Sequence, residues 1–293
     1  MNEPLAASIS SRTTIKAVFF DVDFTLIYPG PTFQGEGYSR FCARHGITVD
    51  ASRFADAVRA ASSILDDAQE HVYDAEIFVR YTGRIIQEMG GRGPAVVNCA
   101  REIYDEWAEN QHFFLYDDVA PVLRALAARG LKIGLISNSH RPLASFQQHF
   151  ELEGLIAAAV SSSEHGYMKP HPSIFTAAMM LAGVQACESM MVGDSLSHDI
   201  DGARRVGMRG VLVHRSVDPA PQTDVPVVFL TYPSGATQYG IANDALRMAS
   251  IHTDAPVIDL AQRFGPRCPK WKCEYLFPDQ HPTRAGHAWR AAD

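Results

Sequence analysis

Ile15-Lys16-Ala17-Val18-Phe19-Phe20-Asp21-Val22-Asp23-Phe24-Thr25 is the stretch on which the reading of this chain turns. The apolar run before Asp21 reads as a strand buried on both faces. Two carboxylates leave its end one residue apart. Side chains at i and i+2 of an extended segment point to the same side, so Asp21 and Asp23 can face one crevice. One carboxylate can then attack phosphorus as a nucleophile. Repulsion between the two favours a retained proton on the other, which places a general acid beside a nucleophile. The alternative is a polar strand exit that caps the following helix.

After this strand comes a Gly- and Pro-rich loop, residues 28–37. From 38 to about 110 the apolar residues recur at helical spacing, as in Phe54, Val58 and Ala61, or along 76–89 up to Gly90-Gly91. No convincing strand interrupts this block, which reads as an all-helical insertion. Strand and helix alternate again from about 116. Asp118 is expected to cap a helix ending at Gly130. Residues 131–136 and 157–160 read as strands, 172–182 as a helix with Pro in its first turn, 189–192 as a strand, 199–206 as a helix and 210–213 as a strand. Short apolar strands separated by helices imply a parallel sheet covered on both faces, and ligands of such sheets bind beyond the carboxyl ends of the strands.

The length of 293 residues allows one large domain or two smaller ones. A hydrophobic content of 46% suits a globular protein, and no apolar stretch is long enough to span a membrane. Residues 1–14 are polar, lack the apolar core of a signal peptide and read as a disordered lead-in. A net charge of −7 without a long basic run argues against a nucleic-acid partner. Five scattered cysteines point to reduced thiols and a cytoplasmic location, with Cys268 and Cys273 near each other in the tail.

The candidate chemical residues gather at the predicted strand ends. Ser137-Asn138-Ser139 offers a hydroxyl and backbone N–H groups for phosphate oxygens, or an ordinary helix cap. Lys169, kept extended by Pro170, can neutralise a nucleophile and a transferring phosphoryl group, or be a solvated surface charge. Gly193-Asp194-Ser195 follows a strand, and Asp194 with Asp21 would supply the two carboxylates that suit Mg²⁺. Asp199 either adds to that site or caps the next helix.

The order of these elements resembles the haloacid dehalogenase superfamily of hydrolases. Its first motif, Asp-x-Asp-x-Thr, matches Asp21, Asp23 and Thr25; its second matches Ser137; its lysine matches Lys169; its fourth matches Gly193, Asp194 and Asp199. The likeness covers about residues 15–217. It implies an α/β fold, a Rossmann-like doubly wound parallel sheet at 15–28 and 115–217, with the helical block 29–114 inserted as a C1 cap. It implies that Asp21 forms a phospho-aspartate and that Asp23 protonates the leaving oxygen and then activates water. Mg²⁺ would be held by Asp21, Asp194 and the Asp23 carbonyl. Ser137, Asn138 and Thr25 would bind phosphate, Lys169 would fix the nucleophile, and Asp199 would orient Lys169 or a metal-bound water. Asp23 argues for a phosphate ester, because dehalogenases of the superfamily lack an acid there. The lysine-free cap argues against the carbon–phosphorus-cleaving branch. Phe24 stands where glycine is usual, although other members carry bulky residues at that position. The expected activity is Mg²⁺-dependent hydrolysis of a small phosphorylated metabolite, with the substrate and the oligomeric state left open.

Residues 225–293 exceed what such a core needs. They read as an additional α/β segment, with strands at 225–230 and 256–260 around a helix at 243–251. Tyr275-Leu276-Phe277-Pro278-Asp279-Gln280-His281-Pro282 resembles the end of SGNH/GDSL esterases, where an Asp and a His complete a Ser-His-Asp triad. Asp279 and His281 fall at that place, and Gly193-Asp194-Ser195-Leu196 spells the GDSL string. That string, however, follows the fourth strand of the phosphatase-like core. The strands and Asn block that belong downstream of an esterase serine are missing, so the tail reads as the last third of a second hydrolase. Ester hydrolysis by Ser195, His281 and Asp279, or phospholigand binding without turnover, are the alternatives.

Overall fold

The computed structural model describes residues 14–67 and 69–215, together with the backbone of 229–230 and 257–258. Strand β1 (Ala17–Phe20) is buried along its whole length. Ala17 and Phe19 pack on one side with Ile136, Ile174 and Phe175, whereas Val18 and Phe20 pack on the other with Leu123, Leu135 and Phe146. Apolar residues of both parities are what a strand covered on both faces requires.

The chain then leaves through β2 (Ile27–Pro29) into α1 (Gly35–Arg44), α2 (Phe54–Ala61), α3 (Ala75–Glu88) and α4 (Ala95–Glu106), and returns through β3 (Phe113–Leu115). β2 and β3 pair antiparallel, Tyr28 opposite Phe114, and Gly30 N–H donates to the His112 carbonyl at 2.7 Å. The helical insertion thus hangs from a two-stranded ribbon. It also touches the core a second time: Met168 N–H donates to the His71 carbonyl at 2.7 Å and Tyr73 N–H to the Gly166 carbonyl at 2.9 Å.

The core resumes with α5 (Val119–Ala128), β4 (Lys132–Ser137), α6 (Leu143–His149), β5 (Ile156–Ser161), α7 (Ser162–His165), α8 (Pro172–Ala182), β6 (Ser189–Gly193), a π-helical turn Leu196–Asp201, α9 (Gly202–Arg205) and β7 (Arg209–Leu212). The sheet order is β5-β4-β1-β6-β7, and every neighbouring pair is parallel. This is the α/β, Rossmann-like doubly wound arrangement. The order reverses between β1 and β6, so a crevice opens at the carboxyl ends of those two strands. Asp21 and Asp194 leave β1 and β6 there.

Two local expectations change. Asp118 occupies the N-cap position of α5 but makes no side-chain cap bond. Its carboxylate faces Arg215 instead, at 3.0 and 3.4 Å, because a full positive charge outcompetes a backbone N–H. The helix expected at 199–206 is a π turn followed by one short α-helical turn. In the tail, β8 (Phe229–Leu230) pairs parallel with β9 (Val257–Ile258). The helix expected at 243–251, Cys268, Cys273, Asp279 and His281 lie outside the described residues, as do residues 1–13 of the lead-in. No helix among the described residues is long and apolar enough to cross a membrane.

Candidate active site

Each sheet strand flanking the crevice delivers one group to it. β1 delivers Asp21, only 7% exposed, whose N–H donates to the Val192 carbonyl at 2.9 Å and so ties the loop to β6. β4 delivers Ser137, buried, its hydroxyl bonded to that of Ser139 at 3.0 Å. β6 delivers Asp194, and the π turn after it delivers Asp199. Lys169 arrives from the loop between α7 and α8. Its ammonium lies 2.6 Å from Asp21 Oδ1 and 2.6 Å from Asp199 Oδ1. Asp199 Oδ2 accepts from the Ser195 N–H at 3.0 Å, which turns the carboxylate toward the lysine.

The electrostatics follow from this crowding. Burial pushes the Asp21 carboxyl well above the usual carboxylate range; Lys169 opposes the rise, and Asp199 and Asp194 add to it. Burial alone would lower Lys169, but the two carboxylates beside it more than compensate, and it stays an ammonium. Asp194 reaches solvent at the mouth of the crevice. Even so, the protein around its carboxylate pushes it up to about 6, with Asp199 adding and Lys169 opposing.

These residues fit a divalent cation. Carboxylate oxygens of Asp21, Asp194 and Asp199 all lie within 4.8 Å of one another, with only one ammonium among them. Asp21 Oδ2 is buried with no hydrogen-bond partner among the described residues, and a bound ion would satisfy such an acceptor. Asp199 is bonded on both oxygens to protein donors, which leaves Asp21 and Asp194 as the available oxygen donors of the type Mg²⁺ takes.

Two residues expected at phosphate bond to other groups of the site. Asn138 donates to the Lys169 carbonyl at 2.9 Å and accepts from the Lys169 N–H at 2.7 Å, so its amide holds the lysine loop. The reason is that the peptide groups of a loop lacking sheet partners must find others. Thr25, 1% exposed, donates to Asp194 Oδ1 at 3.3 Å and braces that carboxylate. Ser195, the serine of the esterase-like string, exchanges a hydrogen bond with His198 Nδ1 at 3.1 Å.

Asp23 brings in a residue that sequence reading missed. Arg141, fully buried, donates to Asp23 Oδ1 at 2.8 Å and to the Trp107 carbonyl at 2.8 Å, and its guanidinium lies 4.2 Å from the Phe113 ring centre. The one available signal was a cation four residues past Ser137, with no periodicity or motif to mark it.

A family model described as haloacid dehalogenase-like hydrolase matches residues 15–207. The bovine (Bos taurus) haloacid dehalogenase-like hydrolase domain-containing protein 3 is 26% identical over 230 residues, 74% of this chain and 90% of that one. The glyceraldehyde 3-phosphate phosphatase of Methanopyrus kandleri is 30% identical over 222 residues, 72% of this chain and 91% of that one. The crystal structure of a HAD phosphatase from Thermococcus onnurineus shares the fold, with a TM-score of 0.51 at 24% identity, covering 73% of this chain and 92% of that one. With the matched segment spanning the whole sheet up to the turn before β7, the chain belongs to the haloacid dehalogenase-like hydrolases.

Proposed function

We propose that the chain is a Mg²⁺-dependent phosphatase that hydrolyses a small phosphomonoester through a phospho-aspartate. One observation carries the reading: Lys169 bridges Asp21 and Asp199 at 2.6 Å each, while the second Asp21 oxygen is left without a partner. Asp21 attacks phosphorus; its new O–P bond forms as the bond from phosphorus to the alcohol oxygen breaks. Asp23 gives its proton to that departing oxygen. In the second step Asp23 takes a proton from water, whose oxygen displaces Asp21 and leaves as phosphate. Lys169 holds the attacking carboxylate in place and sets a positive charge beside the phosphoryl oxygens. The Ser137 hydroxyl lies at the same strand edge for one of those oxygens. Mg²⁺, held by Asp21, Asp194 and the Asp23 carbonyl, would supply the positive charge that offsets the phosphoryl oxygens. Asp23 supports a phosphate ester over a halide, since only the former leaves as a group that needs a proton.

The insertion, residues 29–114 by sequence, acts in this reading as a C1 cap. Its two-stranded attachment is the kind of narrow joint about which a cap can swing, and closure would exclude bulk water. The test is release of p-nitrophenol from p-nitrophenyl phosphate by the purified chain, with Mg²⁺ and with EDTA, and by Asp21→Asn. Turnover that needs Mg²⁺ and falls by about a thousandfold or more in Asp21→Asn is expected. Full activity in that variant would remove Asp21 as the nucleophile.

A further inference from the structure

A cavity of about 440 Å³ runs from Asp23 and Lys169 into the helical insertion. Phe24, Tyr38, Phe78, Tyr81, Tyr104 and Trp107 form much of its wall. Among the described residues, the only lysine on it is Lys169, already held between Asp21 and Asp199, and the only carboxylate is Asp23. None of the insertion's arginines lines it; Arg44, Arg84 and Arg101 are paired instead with Glu102, Glu88 and Glu76. Of the histidines on the wall, His140 is stacked on Tyr104 with ring centres 3.9 Å apart, its buried Nε2 without a hydrogen-bond partner among the described residues. His71, where the insertion touches the core, accepts from the Met168 N–H through its carbonyl, and the His198 ring is bonded to Ser195.

Phe24 adds an independent observation. Its φ is +65°, a left-handed conformation in which a β-carbon is strained and glycine is at ease. A bulky side chain is nevertheless kept there, tilted toward Trp107 with ring centres 6.2 Å apart. It forms part of the wall directly beside Asp23. Backbone strain of this kind clusters at active sites and ligand clamps.

We infer that this cavity receives the alcohol end of the substrate, and that this end is an uncharged apolar body, with an aromatic ring or a hydrocarbon of similar size. The inference rests on the phosphatase reading above and extends it to a substrate class. An apolar body takes the aromatic wall out of water and can stack edge-to-face or offset against its rings. A carboxylate or second phosphate on the same alcohol would be stripped of water with no free lysine or arginine among the described wall residues to meet it.

The measurement is kcat/KM of the full chain with Mg²⁺ for three esters of primary alcohols, which leave with comparable ease: phenethyl phosphate, 2-phosphoglycolate and glyceraldehyde 3-phosphate. Phenethyl phosphate is expected to exceed each of the others by about a hundredfold or more. Phe78→Arg, at a half-buried position of α3, introduces a cation into the wall. It is expected to narrow the phenethyl-to-glycolate ratio by about tenfold, with phosphoglycolate gaining. A wild-type ratio near one, or one favouring either charged or polar ester, overturns the substrate class while leaving the phosphatase intact. Absence of phosphate release from all three and from p-nitrophenyl phosphate overturns the phosphatase reading itself.

Discussion

Arg141 is a guanidinium with no exposure to water, and it touches both halves of the molecule: Asp23 in the core, the Trp107 carbonyl and the Phe113 ring at the base of the insertion. It holds no reacting atom, so it is a positioning residue for the proposed acid–base group. Removing it in Arg141→Met leaves a carboxylate and a carbonyl without their partner, which should destabilise the fold by about 3–5 kcal/mol in urea unfolding. kcat should fall while KM changes little, because the loss is in the orientation of Asp23. Arg141→Lys restores the charge but not the fork that reaches both partners, and should recover stability in part without recovering kcat. Unchanged kcat in Arg141→Met would reduce its role to packing. Asp21, Asp23, Lys169, Asp194 and Asp199 were legible in the sequence as residues in the order of a known motif set, and folding brings Asp21, Lys169, Asp194 and Asp199 together. Arg141 was not, since its two partners lie 118 and 34 residues away. The contacts of Asn138 and Thr25, both named from the sequence for phosphate, were equally hidden: the Asn138 amide is engaged by a peptide 31 residues on, and the Thr25 acceptor lies 169 residues on.

Between residue and fold, the end of β6 shows why an element terminates as it does. A β-carbon at Gly193 would fall on the Asp199 carboxylate, the group that orients Lys169 and accepts from Ser195 N–H. Gly193→Ala must therefore push Asp199 off both partners or bend β6. We expect a loss of about 1–3 kcal/mol in stability, as for other overpacked sites. Phosphatase turnover should fall by about tenfold or more through the displaced lysine, whereas Gly→Ala at exposed turns should leave turnover unaltered. Wild-type turnover in Gly193→Ala would show that Asp199 does not set the position of Lys169. β1, β4 and β6 were legible as apolar runs, and the insertion helices through their 3.6-residue period. The ribbon β2–β3 was not, because three residues a side carry too little alternation to distinguish a strand from a loop. Neither was the π turn at Leu196–Asp201, closed by the Ile200 N–H on the Ser195 carbonyl at 3.3 Å, which leaves no periodic trace.

Across the whole molecule, folding brings Asp21, Asp194 and Asp199 together at the place where the strand order reverses, against the single charge of Lys169. The chain bears a standing electrostatic penalty there, since burial first and then the neighbouring carboxylates raise Asp21 and Asp194. A cation that binds the folded chain and not the unfolded one relieves that penalty and adds stability as RT ln(1 + [L]/Kd), about 2.7 kcal/mol at a hundredfold excess over Kd. For a domain of this size each kcal/mol moves Tm by about 2–4 °C, so Mg²⁺ should raise Tm visibly and EDTA should abolish the rise, with no substrate present. Asp194→Asn divides the explanations. It removes one acid from the cluster, so the metal-free protein should be as stable as wild type or more so, while the Mg²⁺-dependent rise should shrink or vanish. A rise of the same size in Asp194→Asn would place the stabilising cation elsewhere on an acidic protein of net charge −7. A loss of stability without metal would show that Asp194 is held in the fold by Thr25 more strongly than it is repelled by its neighbours.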